Sequence, residues 1–171
     1  MLDFLVKFPD LLHSAIVFGT VIMFGALGEI ITEKSGNLNL GVPGIMYFGG
    51  IAGLTSTFMY ENVYCANAGV EPNAALCVIM CLVASFLASA LGGLIYSFLT
   101  ISLRTNQNVT GLTITTFGLG LYFFIGKGLG DRWPVMTSAD ALVSGFSARE
   151  IPLLSSIPVV GKALFSHNIL V

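Results

Sequence analysis

Charge is what this sequence has least of. Asp, Glu, Lys and Arg together make up 9% of its 171 residues, against roughly a quarter in soluble domains. The formal net charge is −2, and no basic block or interleaved aromatic stripe offers a footprint for a nucleic acid polymer. Phosphate-cradling glycines are missing as well. Lys34-Ser35 has the form of the end of a Walker A loop, but no glycine precedes it at the required spacing, so ATP hydrolysis is not expected of this chain. Cysteine is scarce: Cys65, Cys77 and Cys81 are an odd set with no paired framework. Cys77 and Cys81, four apart in an apolar run, read as packing residues. The two histidines, His13 and His167, lie far away in sequence, so no metal centre is expected. Ser, His and Asp all occur, but at no recognisable catalytic spacing, and the chain does not read as an enzyme.

What is present is apolar, at 55% of residues. Uncharged stretches run from 11 to 28, 35 to 60, 72 to 103 and 105 to 126, between Asp10, Glu29, Lys34, Glu61, Glu71, Arg104 and Lys127. About 20 mostly apolar residues cross a hydrocarbon core about 30 Å thick. The expected fold is therefore all-α, a polytopic membrane bundle with spans at about 11–31, 36–60, 74–103 and 109–126. A cleaved leader is not expected at Ala26-Leu27-Gly28, although those residues have the small-any-small form. The run continues through Ile30 and Ile31, and Asp3 and Asp10 stand ahead of it.

The first span ends in Glu29 and Glu33, four apart on one helix face. Carboxylates so close to a span need water or a partner. Lys34 and Arg104 are the cations on offer, and the pair lies either at the interface or along a water-filled path. Next comes EKSGNLNLGVPG, residues 33–44. Gly36, Gly41 and Gly44 relieve steric limits, Pro43 withholds an amide hydrogen, and Asn37 and Asn39 offer both donors and acceptors. Leu38, Leu40 and Val42 alternate with them, as in an extended stretch with one side in protein and the other in a cavity. Non-helical backbone at membrane depth is tolerated only under such cover. The span 36–60 is thus read as a discontinuous helix, with an aqueous loop as the alternative that physics alone leaves open.

Gly49 and Gly53 form a small-xxx-small pair. Residues 61–73 read as an outward loop without Lys or Arg. In the third span, Ser85, Ser89, Gly93 and Ser97 repeat every four residues as a packing face. Arg104 opens a short basic link that suits the cytoplasmic side, and Asn106, Gln107 and Asn108 either meet solute or cap the fourth helix. In that helix Thr113 and Thr116 either bond back to their own backbone or face a polar solute. Tyr47 and Phe48 suit a flat ligand face as well as they suit packing. Residues 127–171 read as short interfacial helices and turns on the outer face, and Asn168-Ile169-Leu170-Val171 looks like the start of another apolar run.

GEIITEKSGNLNLGVPGIMYFGG (28–50) and ISLRTNQNVTGLTITTFGLGLYFFIG (101–126), with IPLLSSIPVVGKALFSHNILV at the end, resemble the permease subunits of bacterial ABC importers for nucleosides. That group also includes simple-sugar and branched-chain amino-acid permeases. The resemblance implies a multi-pass protein of the bacterial plasma membrane, in contact with lipid, that works by alternating access. It implies a second permease subunit, an ABC ATPase carrying ATP and Mg, and an extracytoplasmic solute-binding lipoprotein as partners, with no cofactor on this chain. It places 35–44 at the translocation path, with Asn37 and Asn39 as the polar contacts, and turns 127–167 toward the binding protein. A secondary transporter or channel, and a membrane scaffold that carries nothing, are the rival classes.

Overall fold

The computed structural model describes residues 2–125, 140–150, 164, 166–168 and 170–171. Its order is α1 (Leu2–Lys34), α2 (Val42–Phe58), a wide π-helical stretch (Met59–Cys65), α3 (Ala66–Ala68), α4 (Ala74–Ser97), a second π-helical stretch (Phe98–Ser102), α5 (Gln107–Phe123) and α6 (Asp140–Gly145). Two-residue strands β1 (Arg149–Glu150) and β2 (Ser166–His167) pair antiparallel, Arg149 opposite His167. The remaining regular structure among the described residues is helical. Most of 127–171, including the greater part of IPLLSSIPVVGKALFSHNILV, lies outside the described residues, so the expected outer segment is described mainly at α6 and the strand pair.

Two compact units divide the chain: Met1–Leu27 with Phe146–Val171, and Gly28–Gly145. In the first, His13 and His167 stack with ring centroids 4.5 Å apart. The second holds the residues that matter below.

Two helical stretches, Phe8–Lys34 and Ala74–Ser102, are long and apolar enough to cross a membrane on their own. Their flanks are apolar and outward-facing: Phe18, Ile22, Phe86 and Leu91 are all strongly exposed. In water such a surface would be an aggregation liability; against lipid it is the expected face. The element bounds depart from the sequence reading in three places. Helix α1 starts well before residue 11. Residues 61–68, read as loop, continue the helix after α2, and the chain turns only at Gly69, whose φ of 64° lies in the left-handed region. Local polarity there is interfacial rather than helix-breaking, since Glu61 still reaches a partner: its carboxylate accepts from the Ala141 amide that opens α6. The break itself is shorter than 35–44. Pro43 and Gly44 sit in the first turn of α2, where a missing N–H costs nothing.

Helix α2 is the centre of the second unit, packed on α4 along one side and α5 along the other. Its glycines make both contacts possible. Gly49 and Gly53 receive Ser89 and Ser85 so closely that any Cβ there would strike a seryl hydroxyl. A Cβ on Gly118 would lie 2.8 Å from Gly44 Cα, so α2 and α5 cross backbone on backbone. Small residues give that proximity where lipid supplies no hydrophobic driving force. Tyr47 tilts against Tyr122 and Phe48 meets Phe117 edge-on, so both aromatics pack on α5.

Candidate functional site

Helix α1 ends in a Schellman motif. Gly36 takes φ 87°, its N–H donates to Glu33 O, and Asn37 N–H reaches back to Thr32 O. From there to Gly41 the backbone is irregular, turning at Leu40–Gly41, and its polar groups must find partners elsewhere. Side chains from three helices supply them. Glu29 Oε1, on α1, accepts from Asn39 N at 2.8 Å. Tyr96, on α4, donates its hydroxyl to Leu38 O at 2.7 Å. Gln107, on α5, accepts from Leu38 N at 2.9 Å through Oε1 and donates to Asn37 Oδ1 at 2.9 Å through Nε2. Thr115, also on α5, donates to Leu40 O at 2.8 Å. Within the segment, Asn39 Oδ1 accepts from Gly41 N. An ordinary aqueous loop would leave these groups to water; here protein has replaced it.

The alternation of the segment runs asparagine-in. Asn39 is 7% exposed, while Leu38 and Leu40 are each 39% exposed. Gly41 and Gly111 explain how α5 comes so near: a Cβ on Gly111 would lie 2.8 Å from Gly41 N and 2.9 Å from Leu40 N. Gly36 turns the chain; Gly41 and Gly44 let it touch a neighbour.

Asn37 and Asn39 border a cavity of about 220 Å³, together with Thr32, Ser35 and, across from them, Gly93, Tyr96 and Ser97 on α4 and Thr100 on the π-helical stretch that follows it. Two larger hollows, of about 690 and 410 Å³, are shallow and almost wholly apolar. Their size does not make them the site, because aliphatic grooves on the outside of membrane helices suit lipid or further helix.

The remaining candidates separate. Glu29 turns to the break, and its partner is the Asn39 amide rather than the Lys34 or Arg104 that the sequence offered; its Oε2 is buried with no hydrogen-bond partner among the described residues. Glu33 is exposed. Asn106 caps α5, accepting from Asn108 N and Val109 N, and Asn108 is exposed on the first turn. Thr113 and Thr116 bond back to Val109 O and Leu112 O, and line the 690 Å³ apolar groove on the far side of α5 from Gly111 and Thr115. They do not join the two asparagines. Tyr96 and Thr115 were missed because each is one residue in a long apolar run. Only knowledge of which face meets the break distinguishes them.

Gln107→Ala is expected to free Asn37 and Leu38 N together. Amide hydrogen exchange at residues 37–39 should rise about tenfold, the loss of roughly one to two hydrogen bonds, while exchange in the middle of α4 stays unchanged.

The non-helical residues expected inside a discontinuous helix over 36–60 instead link two helices, α1 and α2, each continuous, and they lie beside a cavity in a helical bundle, an arrangement that suits a transport protein. The chain belongs to the family described as the permease component of branched-chain amino acid transport systems, whose pattern matches residues 11–159. It is a multi-pass protein of the plasma membrane. TsgC13 of Haloferax volcanii, a candidate glucose ABC transporter permease protein, is 33% identical over 160 residues, 91% of this chain and 41% of its own length. The guanosine ABC transporter permease protein NupQ of Bacillus subtilis is 30% identical over 153 residues, 90% of this chain and 44% of its own. The nucleoside ABC transporter permease protein NupC of Lactococcus lactis is 23% identical over 159 residues, 91% of this chain and 44% of its own. The chain thus spans less than half the length of these relatives. No solved structure gives a significant match.

Proposed function

We propose that this chain forms part of the translocation path of an ATP-driven importer for a nucleoside or related sugar-like solute, operating by alternating access. One observation carries the reading: a non-helical segment whose backbone is satisfied by side chains of α1, α4 and α5, leaving asparagines turned to a cavity. Such a segment supplies a fixed polar surface between elements that can rock as rigid groups. Asn37 and Asn39 are the solute contacts, and Gly36, Gly41 and Gly44 shape the segment that presents them. Thr113 and Thr116, with hydroxyl hydrogens committed to their own helix, are left out of the contact set. The partners in this reading are a second permease subunit, an ABC ATPase that binds ATP and Mg, and an extracytoplasmic solute-binding lipoprotein. The chain itself does no covalent chemistry. The names of the relatives, which mention glucose, guanosine and nucleosides, support a neutral hydroxyl-rich solute.

Alanine at both Asn37 and Asn39 tests it. Uptake of labelled guanosine or glucose by cells expressing the whole transporter should fall about a hundredfold, the loss of roughly two hydrogen bonds to a buried solute, with unchanged protein in the membrane. Normal uptake by that variant removes the segment from the path. Solute movement in liposomes driven by an ion gradient, with no ATPase present, would favour a secondary transporter or channel instead.

A further inference from the structure

We propose that the cavity of about 220 Å³ between residues 35–39 and α4 is a subsite for one uncharged, hydroxyl- or amide-bearing edge of the solute. Asn39 Nδ2 and Ser97 Oγ are its donors, and Gly93 is the residue that keeps it open. This rests on the permease reading of the break and adds the opposite wall, α4, which that reading does not include.

The seryl and glycyl stripe of α4 has two fates. Ser85 and Ser89 mesh with Gly53 and Gly49 of α2, and Gly92 is filled by Phe48, whose Cδ2 would lie 2.6 Å from a Cβ there. One residue on, Gly93 has nothing within 4 Å of where its Cβ would stand. The hydroxyl of Ser97, an exposed residue one turn further, makes no hydrogen bond among the described residues and borders the same space. Small residues that do not pack leave room, and here the room is polar.

Asn39 is the second observation. It is 7% exposed, and its Oδ1 is taken by Gly41 N, but its Nδ2 has no partner among the described residues. That amide is not sealed off, and on the cavity wall it offers two free N–H donors to an acceptor that enters. Leu38 O already holds the Tyr96 hydroxyl and Glu29 Oε1 holds Asn39 N, while Glu29 Oε2 is a buried acceptor that makes no bond to Nδ2.

Among the described residues, no Lys, Arg, Asp or Glu lines the cavity. A phosphate or carboxylate entering it would shed hydration without meeting a counter-charge, which is far costlier than burying a hydroxyl. Its volume is below the roughly 300–1,000 Å³ of pockets that enclose drug-sized ligands. It therefore takes one edge of a nucleoside or sugar, with Tyr96 and Ile101 as the flanking walls.

Ser97→Cys provides the probe, with the unsubstituted protein giving the background of its native thiols. In membranes from cells expressing the whole transporter, labelling at position 97 by a small methanethiosulfonate reagent is measured with ribose, glucose, guanosine or guanosine 5′-monophosphate present. At least one of the three neutral solutes should slow labelling severalfold, and the monophosphate should not. Gly93→Leu, whose Cβ would meet nothing within 4 Å, should lower uptake about tenfold or more while leaving the amount of folded protein unchanged. Labelling indifferent to every solute, equal protection by the monophosphate, or normal uptake by Gly93→Leu each overturns the subsite. Uptake of a neutral solute by the unsubstituted protein without protection sinks the subsite and leaves the permease reading standing. Protection without ATP-driven uptake does the reverse.

Discussion

Gly44→Ala is expected to destabilise the protein by about 3 kcal/mol or more, at the upper end of what overpacking costs. The methyl carbon would lie 2.6 Å from Ile114 C and 2.6 Å from Thr115 Cα. Both are backbone atoms in the middle of α5, so no side-chain rotation relieves the overlap, and α2 and α5 must separate. Separation has a second consequence, because Thr115 on that stretch of α5 holds Leu40 O. The substitution should lower the unfolding midpoint of detergent-solubilised protein and, in the same samples, expose residues 37–41 to hydrogen exchange. Gly50→Ala is the control. Nothing lies within 4 Å of its Cβ position, and alanine favours a helix over glycine by about 1 kcal/mol, so that variant should be neutral or slightly stabilised. Equal behaviour of the two variants would mean that α2 and α5 do not cross as closely as described.

Glu29→Ala and Glu29→Gln should differ, and the difference separates hydrogen bonding from charge. One carboxylate oxygen accepts from Asn39 N, and the other is buried without a partner. Removing the acceptor leaves a part-buried backbone N–H unsatisfied, at a cost of about 1–3 kcal/mol. Glutamine keeps an acceptor in the same place and carries no charge needing counterions, so its stability should equal or exceed that of the original. Transport should follow the same order, since the bond positions Asn39. Unfolding midpoints and uptake rates for the two variants decide it. If glutamine is as damaging as alanine, the carboxylate acts through its charge, toward a cation or a solute donor, and its role as a latch for the break is wrong.

The two expectations share a cause. A non-helical stretch inside a membrane bundle survives only if its N–H and C=O groups are met by protein, and those partners come from residues far apart in sequence. Gln107 lies 69 residues from Leu38, Thr115 75 from Leu40, and Tyr96 58 from Leu38. Each bond therefore depends on the helix crossings. The glycines of those crossings are as much part of the site as the asparagines are.

By itself, the order of residues determined the class of fold. Long uncharged runs admit only membrane helices, because a charged or open backbone cannot lie in hydrocarbon. An end to the helix within EKSGNLNLGVPG was legible, since Gly36 and Pro43 terminate and initiate helices by local geometry alone, but whether water or protein would surround it was not. Capping was one of the two roles that the sequence offered Asn106, and the cap uses only the amides of Asn108 and Val109. Local rules ended there. Residues 61–68 look like loop yet remain helical, and the α4 stripe looks like one packing face yet is half interface and half cavity wall. Glu29 found a backbone amide instead of a cation. In each case the outcome depended on what stood opposite, and only the tertiary structure specifies that, because side-chain periodicity says which residues share a face but not which neighbour that face will meet.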